Sequence, residues 1–181
     1  MGKFVALLRG INVSGQKKIK MSDLKILFED LSFTNVETYI QSGNVLFNSS
    51  TINKKIIRDK IEKGIVGKFN YQVQVIVKTP DELGYALKNN PFLKDKTNNA
   101  ERIYFTLLSE IPLADKIQKL KEVDYSPEKY IIDGTNICLF FPKGYGKAKL
   151  NNNFFEKKLN AFATTRNHKT VKTLSEISKP N

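Results

Sequence analysis

The sequence has very few of the residues on which disulfide frameworks, zinc clusters and many catalytic sites depend. Among its 181 residues there is one cysteine, Cys138, and one histidine, His168. A single cysteine excludes a disulfide framework and a zinc site built from a cysteine cluster. No apolar run approaches the ~20 residues of a membrane span, and Met1–Phe4 leads directly into a strand-like segment without an export signal. We therefore expect a cytoplasmic protein without a membrane partner.

Positive charge, by contrast, is abundant. Thirty lysine and arginine residues against eighteen aspartate and glutamate residues give a formal net charge of +12. The excess lies at both ends of the chain, +7 over residues 1–78 and +7 over residues 143–181, whereas residues 79–142 carry −2. If the two ends of the chain meet in space, this distribution predicts one basic face that attracts an anionic partner. The alternative is a solvated surface that reflects an AT-rich genome, since lysines outnumber arginines 26 to 4.

Hydrophobic periodicity predicts the order β-α-β-β-α-β for the first part of the chain. Phe4–Leu8 is a continuous apolar run, which is typical of a strand buried on both faces. The predicted elements are a strand at 4–8, a helix at 22–31, a hairpin at 36–47, a helix from Thr51 and a strand at 71–78. This order indicates a split βαβ, or ferredoxin-like, subdomain with a four-stranded antiparallel sheet covered on one face by two helices.

The remaining residues predict a linking helix and a second subdomain. Thr79-Pro80-Asp81-Glu82 has the pattern of a capping box with proline at the first helical position. Further elements are predicted as a strand at 103–108, a helix from Pro112, a hairpin at 129–141, and helices at 153–162 and 171–177. Helices thus take the place of a fourth strand. We predict an α+β protein of two ferredoxin-like subdomains, residues 1–78 and residues 79–181.

The predicted topology brings polar side chains together at one edge of the first sheet. In a split βαβ sheet the first and third strands are antiparallel neighbours, so the end of one meets the start of the other. Free N–H groups, fixed donors and a helix N-terminus at such an edge suit an anion. The side chains concerned are those of Arg9, Asn12, Gln41, Ser42 and Asn44. The alternative is that asparagine and serine only hydrogen-bond their own turns, and that Arg9 forms a salt bridge.

Four segments of the chain resemble the signature blocks of the bacterial family catalogued as domain of unknown function 1697. They are Leu7–Gly15, Tyr39–Asn44, Asn90–Phe92 and Thr164–Asn167. The resemblance implies a cytoplasmic bacterial protein of two α+β subdomains, and it adds Arg166 and Asn167 to the residues of interest. Ala148 stands where the family usually has serine, and His168 stands where it often has tryptophan. The resemblance implies no particular activity.

The sequence lacks the motifs of several common chemistries. It contains no dinucleotide fingerprint and no serine-hydrolase motif, and Gly144–Lys147 lacks the Walker spacing. No acidic cluster indicates a metal. Phe4 and Phe47 occur on two strands where an RNA-recognition sheet carries aromatics, but the basic-glycine-aromatic pattern is missing, so we expect both in the core. The sequence therefore predicts neither a cofactor nor a metal site.

The leading hypothesis is a protein that binds an anionic ligand, either a phosphorylated metabolite or nucleic acid. The binding edge would be formed by Arg9, Asn12, Gln41, Ser42 and Asn44, with Arg166 and Asn167 closing it, because a buried bidentate arginine holds phosphate or carboxylate well. A second hypothesis is an enzyme that uses the same edge, with Ser42 or Tyr39 as the reactive hydroxyl. A third is a non-catalytic module that binds nucleic acid without sequence readout. The oligomeric state stays open.

Overall fold

The structure, a computed structural model, describes residues 1–178 and contains helices and two four-stranded antiparallel sheets. The chain divides into two compact units, each with one of the sheets. The first unit comprises Met1–Leu83 and the C-terminal residues from Leu174, and the second comprises Gly84–Thr173. The sequence suggested a division between residues 78 and 79; this one falls a few residues later, and the end of the last helix belongs to the first unit.

The first unit is built around a central apolar strand. Its elements are β1 (Gly2–Leu8), α1 (Met21–Asp30), β2 (Thr34–Tyr39), β3 (Asn44–Ser49), α2 (Lys54–Phe69) and β4 (Val75–Lys78). The sheet order is β2-β3-β1-β4, so β1 lies between two antiparallel neighbours. Residues 5–8 of β1 are fully buried, which explains why this strand is apolar on both faces.

The core of the first unit contains a cluster of phenylalanine rings between the sheet and the helices α1 and α2. Phe4 and Phe47 stack with ring centroids 5.9 Å apart, and Phe28 meets Phe47 edge-on at 5.3 Å. The prediction that Phe4 and Phe47 belong to the core is confirmed, since both are buried and pack with aliphatic residues of both helices. Two rings in the core leave no base-stacking role for these positions.

The second unit has its own four-stranded sheet. After α3 (Pro80–Lys88) come α4 (Pro91–Lys94), a 3₁₀ turn (Ala100–Arg102), β5 (Ile103–Leu108), α5 (Ala114–Lys121), β6 (Lys129–Asp133), β7 (Asn136–Phe140), α6 (Asn152–Leu159), β8 (Ala163–Asn167) and α7 (His168–Ile177). The strand order is β6-β7-β5-β8. The capping box predicted at the start of α3 is confirmed, because the Thr79 N–H donates to Glu82 Oε2 and the Glu82 N–H donates to Thr79 Oγ1.

The prediction that helices replace the fourth strand of the second unit is wrong. Ala163–Asn167 forms β8, which pairs antiparallel with β5. Only Ala163 of its five residues is apolar, so the strand shows no hydrophobic alternation in the sequence. Asn160 adopts a left-handed conformation that ends α6 and turns the chain toward the sheet.

Main-chain hydrogen bonds show that the central strands of the two units end at equivalent positions. The Leu8 N–H donates to the Gly43 carbonyl at 2.8 Å, and the Leu108 N–H donates to the Thr135 carbonyl at 2.9 Å. Each bond joins the end of the central strand to the residue before the third strand. These pairs establish Leu8 and Leu108 as equivalent positions, and from them the other positions of β1 and β5 follow.

The helices that precede the fourth strands also repeat a common device. Both α2 and α6 end at an asparagine in the left-handed conformation, Asn70 and Asn160. A glutamate from each helix then accepts a hydrogen bond from the first residue of the next strand: Glu62 from the Val75 N–H, and Glu156 from the Ala163 N–H. The repeat therefore extends to how each helix joins the last strand of its sheet.

Candidate functional site

Asn12 joins the two segments that form the predicted edge of the first sheet. Its side-chain Nδ2 donates to the main-chain carbonyls of Ile19 and Gln41, each at 2.9 Å, and its Oδ1 accepts from the Ile19 N–H. The structure thus brings residues 9–20 next to residues 39–44, and we call these two segments together the polar edge. The Asn12 amide thus holds main chain in place both within its own loop and across to Gln41.

Gly43 and Asn44 shape the turn on the other side of the polar edge. Gly43 has φ of +74°, and a Cβ there would lie 2.7 Å from Ile11 Cδ1 and 2.8 Å from Leu8 Cβ, so only glycine fits. Asn44 is fully buried, and its Nδ2 donates to the Tyr39 carbonyl and to Ser42 Oγ, both at 3.0 Å. These contacts orient the Ser42 hydroxyl, which is half-buried.

The backbone of the polar edge is unusually rich in left-handed conformations. Positive φ angles occur at Gly10, Asn12, Ser14, Gly15, Lys17, Ile40 and Gly43. Ile40 is the most telling case, because a β-branched residue with φ of +51° is a steric outlier. Ile40 is 48% exposed, so about half of its surface packs against the rest of the chain. The polar edge therefore contains a strained residue that its surroundings hold in place.

The polar edge carries cations and no carboxylate. Its charged residues are Arg9, Lys17, Lys18 and Lys20. Lys17 Nζ donates to the Gln72 carbonyl at 2.6 Å, which fixes that ammonium beside the segment that leads into β4. The nearest acidic residues along the chain are Asp23, in the first turn of α1, and Glu37 on β2. The four cations therefore give this surface a positive potential.

One carboxyl group, that of Glu62, lies close to the polar edge in space. It accepts from the Val75 N–H at 2.8 Å, and Val75 pairs with Leu8, the last residue of β1. Burial raises the pKa of Glu62, although the hydrogen bond from Val75 and the charge of Arg58 oppose this. A negative charge on Glu62 is therefore less favourable in the folded protein than in water.

Arg166 and Asn167 lie in the second unit, on β8. The Arg166 guanidinium is buried, and its Nη1 donates to Thr164 Oγ1 at 2.8 Å and to the Thr165 carbonyl at 3.0 Å. Burial lowers the pKa of Arg166 to about 10. Asn167 Oδ1 accepts from the Thr170 N–H at 2.8 Å, which caps the start of α7. That these two residues act together with the polar edge of the first unit stays a prediction.

Sequence analysis missed Lys78, a buried cation at the end of β4. Lys78 pairs with Val5 on β1, and Arg166 pairs with Phe105 at the equivalent position of β5. Both cationic side chains are buried, and burial lowers the pKa of Lys78 to about 8 while Glu82, 4.0 Å away, opposes that change. The signal that could have revealed this was a lysine that ends the apolar run Val75–Val77.

The enzyme hypothesis depends on hydroxyl groups of Ser42 and Tyr39 at the polar edge. The one histidine, His168, belongs to the second unit, where burial and Lys172 lower its pKa. Catalysis by either hydroxyl stays a prediction. Within residues 1–178, His, Cys, Asp and Glu side chains form no group that could hold a metal ion.

The glycine-rich segment Gly144–Lys147 follows β7 in the second unit. Gly144 has φ of +84°, and a Cβ there would meet the Arg102 guanidinium at 2.6 Å. Shortly after this segment, the N–H groups of Lys149 and Leu150 both donate to the Glu128 carboxylate at 2.9 Å. The chain's own carboxylate thus already occupies these donors, which distinguishes this loop from the polar edge.

Comparison with known proteins gives a fold and a family. The chain resembles the structure of the conserved bacterial protein SP0830 from Streptococcus pneumoniae with a TM-score of 0.77. The two share 23% sequence identity, and the likeness covers 98% of each chain. At this identity the likeness shows the fold alone. No curated protein matches the chain. Among residues 1–178, no helix has the length and apolar character that crossing a bilayer requires.

The family assignment includes the polar edge. A family model described as "Protein of unknown function (DUF1697)" matches residues 1–137, which include the whole first sheet and β5 to the start of β7. The segments around Arg9 and Ser42 that carry the resemblance in the sequence lie inside this match. The chain therefore belongs to the family of proteins of unknown function DUF1697.

Proposed function

We propose that the polar edge of the first unit binds an anionic ligand through the phosphate chemistry that phosphorylated metabolites and nucleic acids share. The observation that carries this proposal is the difference between the polar edge and the equivalent edge of the second unit. The equivalent edge, residues 109–113 and 133–136, contains Glu110 and Asp133 and no lysine or arginine. The first unit has four cations in the corresponding place, although both edges are built on one strand order.

The finer description of each unit as a ferredoxin-like subdomain is part of the same proposal. It is supported by the central position of β1 and β5 and by the order of strands in both sheets. In this fold the loop after the first strand and the turn before the third extend from one edge of the sheet. An anion there would meet main-chain N–H groups and the Arg9 and lysine side chains together.

The anchoring of the loop favours binding over a merely solvated surface. Residues 9–20 form a connection of twelve residues that Asn12 and Lys17 fix to the neighbouring turns at 2.6–2.9 Å. A fixed loop loses little conformational entropy when a ligand binds, so its cations bind an anion more tightly than those on a flexible loop. Lys18 and Lys20 are both exposed on this loop and are available to an incoming anion.

A thermal-shift titration of the full chain tests the proposal. The probes are inorganic phosphate, a mononucleotide and a single-stranded oligonucleotide, each at low and moderate salt. A ligand at 100 times its dissociation constant stabilises the folded state by about 2.7 kcal/mol, which raises Tm measurably. We expect this rise in the native chain and its loss in the double variant Lys18→Gln/Lys20→Gln.

The matched control is Lys55→Gln/Lys63→Gln, which removes two exposed charges from α2 of the same unit. If the polar edge binds the probe, the control variant keeps the rise in Tm. If net charge alone is responsible, the control loses the rise as fully as the Lys18→Gln/Lys20→Gln variant does. For the single-stranded oligonucleotide, each lysine that contacts phosphate contributes about −0.7 to the slope of log K against log salt. A native chain whose Tm responds to none of the three probes contradicts the proposal.

A further inference from the structure

The four edge strands of the two sheets differ in how well they are protected from pairing with another chain. On β2 the register shifts between Thr34 and Glu37, which marks a bulge, and bulges discourage edge pairing. On β4 and β8 the first N–H groups, of Val75 and Ala163, already donate to glutamate side chains. Three of the four edges thus carry a device that blunts them.

The remaining edge strand, β6, keeps a regular register and an exposed face. All five of its residues pair with β7 without a shift. Its side chains alternate, so that Lys129, Ile131 and Asp133 are exposed and share one face, with Ile131 41% exposed. An open hollow of about 480 Å³ borders residues 128–132 and is lined in part by Val123, which is 50% exposed. A regular edge with apolar exposure is a template for strand pairing.

The hairpin turn determines which main-chain groups of β6 point outward. A two-residue turn, Gly134 and Thr135, connects Asp133 to Asn136, which form the last pair of the hairpin. The residues that close such a turn exchange hydrogen bonds, and bonded residues then alternate along the strand. The N–H and C=O groups of Asp133, Ile131 and Lys129 therefore point toward β7. Those of Tyr130 and Ile132 point to the outer edge of the sheet.

We propose that β6 is a self-association edge, at which a second copy of this chain pairs antiparallel with β6 around a two-fold axis through Ile131. In this register Tyr130 of each copy exchanges hydrogen bonds with Ile132 of the other, which uses the outward groups of both strands. Ile131 lies opposite Ile131 of the second copy. Lys129 lies opposite Asp133 of the second copy, and because the axis is two-fold this pair occurs twice.

Charge complementarity is what selects a second copy as the occupant. Lys129 lies two residues before Ile131 and Asp133 lies two residues after it. The two-fold axis through Ile131 therefore places Lys129 of each copy opposite Asp133 of the other. They fall in the closely spaced, non-hydrogen-bonded pairs, where side chains interact most strongly. An unrelated peptide strand would need matching charges of its own, whereas the sequence of β6 complements itself.

Both charged groups also interact with neighbours within their own chain. Lys129 lies near Asp95 and helps to lower the pKa of that carboxyl group. Asp133 interacts with the Tyr85 phenol and raises the pKa of Tyr85. Lys129 and Asp133 are exposed all the same. Pairing of five residues forms a small interface compared with the ~800 Å² per partner of stable complexes, so the dimer is a reversible, concentration-dependent species.

Sedimentation velocity of the full chain over a concentration series, at an ionic strength of about 0.15 M to screen net charge, tests the proposal. We expect the native chain to show a monomer–dimer equilibrium. Lys129→Glu places like charges opposite Asp133, and Asp133→Lys places like charges opposite Lys129. Each single variant should therefore raise the dimer dissociation constant about tenfold.

A mixture of the two single variants gives the most specific readout. Pairing Lys129→Glu with Asp133→Lys produces a heterodimer in which both charge pairs are attractive, so the mixture should regain a dissociation constant near the native one. The control variants Lys157→Glu and Glu110→Lys make the same charge changes at exposed positions of the same unit and should leave the equilibrium unchanged. A native chain that stays monomeric up to its solubility limit overturns the proposal. So does a dimer that responds equally to all four variants, or a mixture that stays as weak as its components.

Discussion

The polar edge of the first unit and the equivalent edge of the second unit differ in length and charge, although equivalent main-chain hydrogen bonds hold both. Leu8 and Leu108 each donate to the carbonyl before the third strand, and Arg9 and Ser109 each donate across to the chain near the fourth strand. From there the units diverge. The connection to the next helix has twelve residues in the first unit, 9–20, and five in the second, 109–113. The hairpin turn has four residues, 40–43, against two, 134–135.

This difference separates what the scaffold requires from what has been added to it. The second unit shows that a short connection and a tight turn are enough to close the sheet. The longer segments of the first unit contain left-handed residues, among them Ile40, and four cations that the sheet itself does not need. Strain and like charge lower stability, and a structure retains them where they serve another purpose. That purpose, in our account, is the binding of an anion.

Replacing the glycine in each hairpin turn, Gly43 or Gly134, should give the largest difference in stability between the two units. Gly43→Ala combines a positive φ with a Cβ that overlaps Ile11 and Leu8, so we expect unfolding to become easier by about 2–5 kcal/mol. Gly134→Ala is the matched control, because it has φ of +57° but no atom within 4 Å of the added Cβ. Its effect should stay near 1–2 kcal/mol. Urea denaturation of both variants measures the difference, and equal effects would mean that Ile11 and Leu8 do not restrict this turn.

Lys78 on β4 and Arg166 on β8, the buried cations at equivalent positions, should affect the free energy of unfolding over different pH ranges. The folded-state pKa of Lys78, about 8, lies below its usual value, so the unfolded chain binds the proton more tightly between pH 8 and 10.5. Lys78 should therefore contribute a rise in the free energy of unfolding across this window, by about 3 kcal/mol at most. Cys138, whose pKa burial raises to about 12, opposes this rise above pH 9. Arg166, whose pKa is about 10, should contribute nothing below that pH.

Denaturant unfolding at several pH values between 7 and 9.5 checks this expectation. Lys78→Met should flatten the rise, while Lys55→Met, at an exposed position on α2, should keep it. Arg166→Met should keep it as well. A native chain whose stability falls over this window, or a rise that survives Lys78→Met, would contradict the assignment of the pH dependence to Lys78.

The asparagines that begin the third strands give a smaller contrast. Both Asn44 and Asn136 are buried, but Asn44 Nδ2 donates to Tyr39 and Ser42, whereas Asn136 Oδ1 has no hydrogen-bond partner. Asn44→Ala leaves the Tyr39 carbonyl without that donor, so we expect a loss of about 1–3 kcal/mol. Asn136→Ala removes an unsatisfied oxygen and should lower stability by less. Thermal unfolding of the two variants measures both losses of stability, and a larger loss for Asn136→Ala would contradict the prediction.

Local sequence patterns predicted most of the first unit, because its hydrophobic patterns and its capping and turn signals agree. The apolar run of β1, the hairpin at 36–47 and the capping box at Thr79 each follow from neighbouring residues alone. β8 was not predicted because only one of its five residues, Ala163, is apolar, which leaves no periodic hydrophobic pattern. The repeat of the two units was visible only as topology, because it resides in main-chain hydrogen bonds and in the pair Glu62 and Glu156.

For the candidate site, the predicted topology indicated which residues lie close together, but the residue types did not indicate which partners their side chains bind. The order of strands placed Asn12 and Gln41 at one edge, and the structure joins them by a hydrogen bond. Whether an asparagine faces a ligand or its own turn depends on the path of residues 9–20, which no local pattern encodes. Lys78 was missed for a related reason, since burial of a strand-terminal lysine depends on packing from distant parts of the chain.

The most direct test of the account is a map of backbone amide chemical shifts in ¹⁵N-labelled protein during titration with a phosphate-bearing probe, first a mononucleotide and then an oligonucleotide. We predict that saturable shifts concentrate in residues 9–20 and 39–44 and leave residues 109–113 and 133–136 unchanged. Shifts that spread evenly over both edges, or that follow the lysines of α2 and α6 instead, would contradict an anion site at the polar edge.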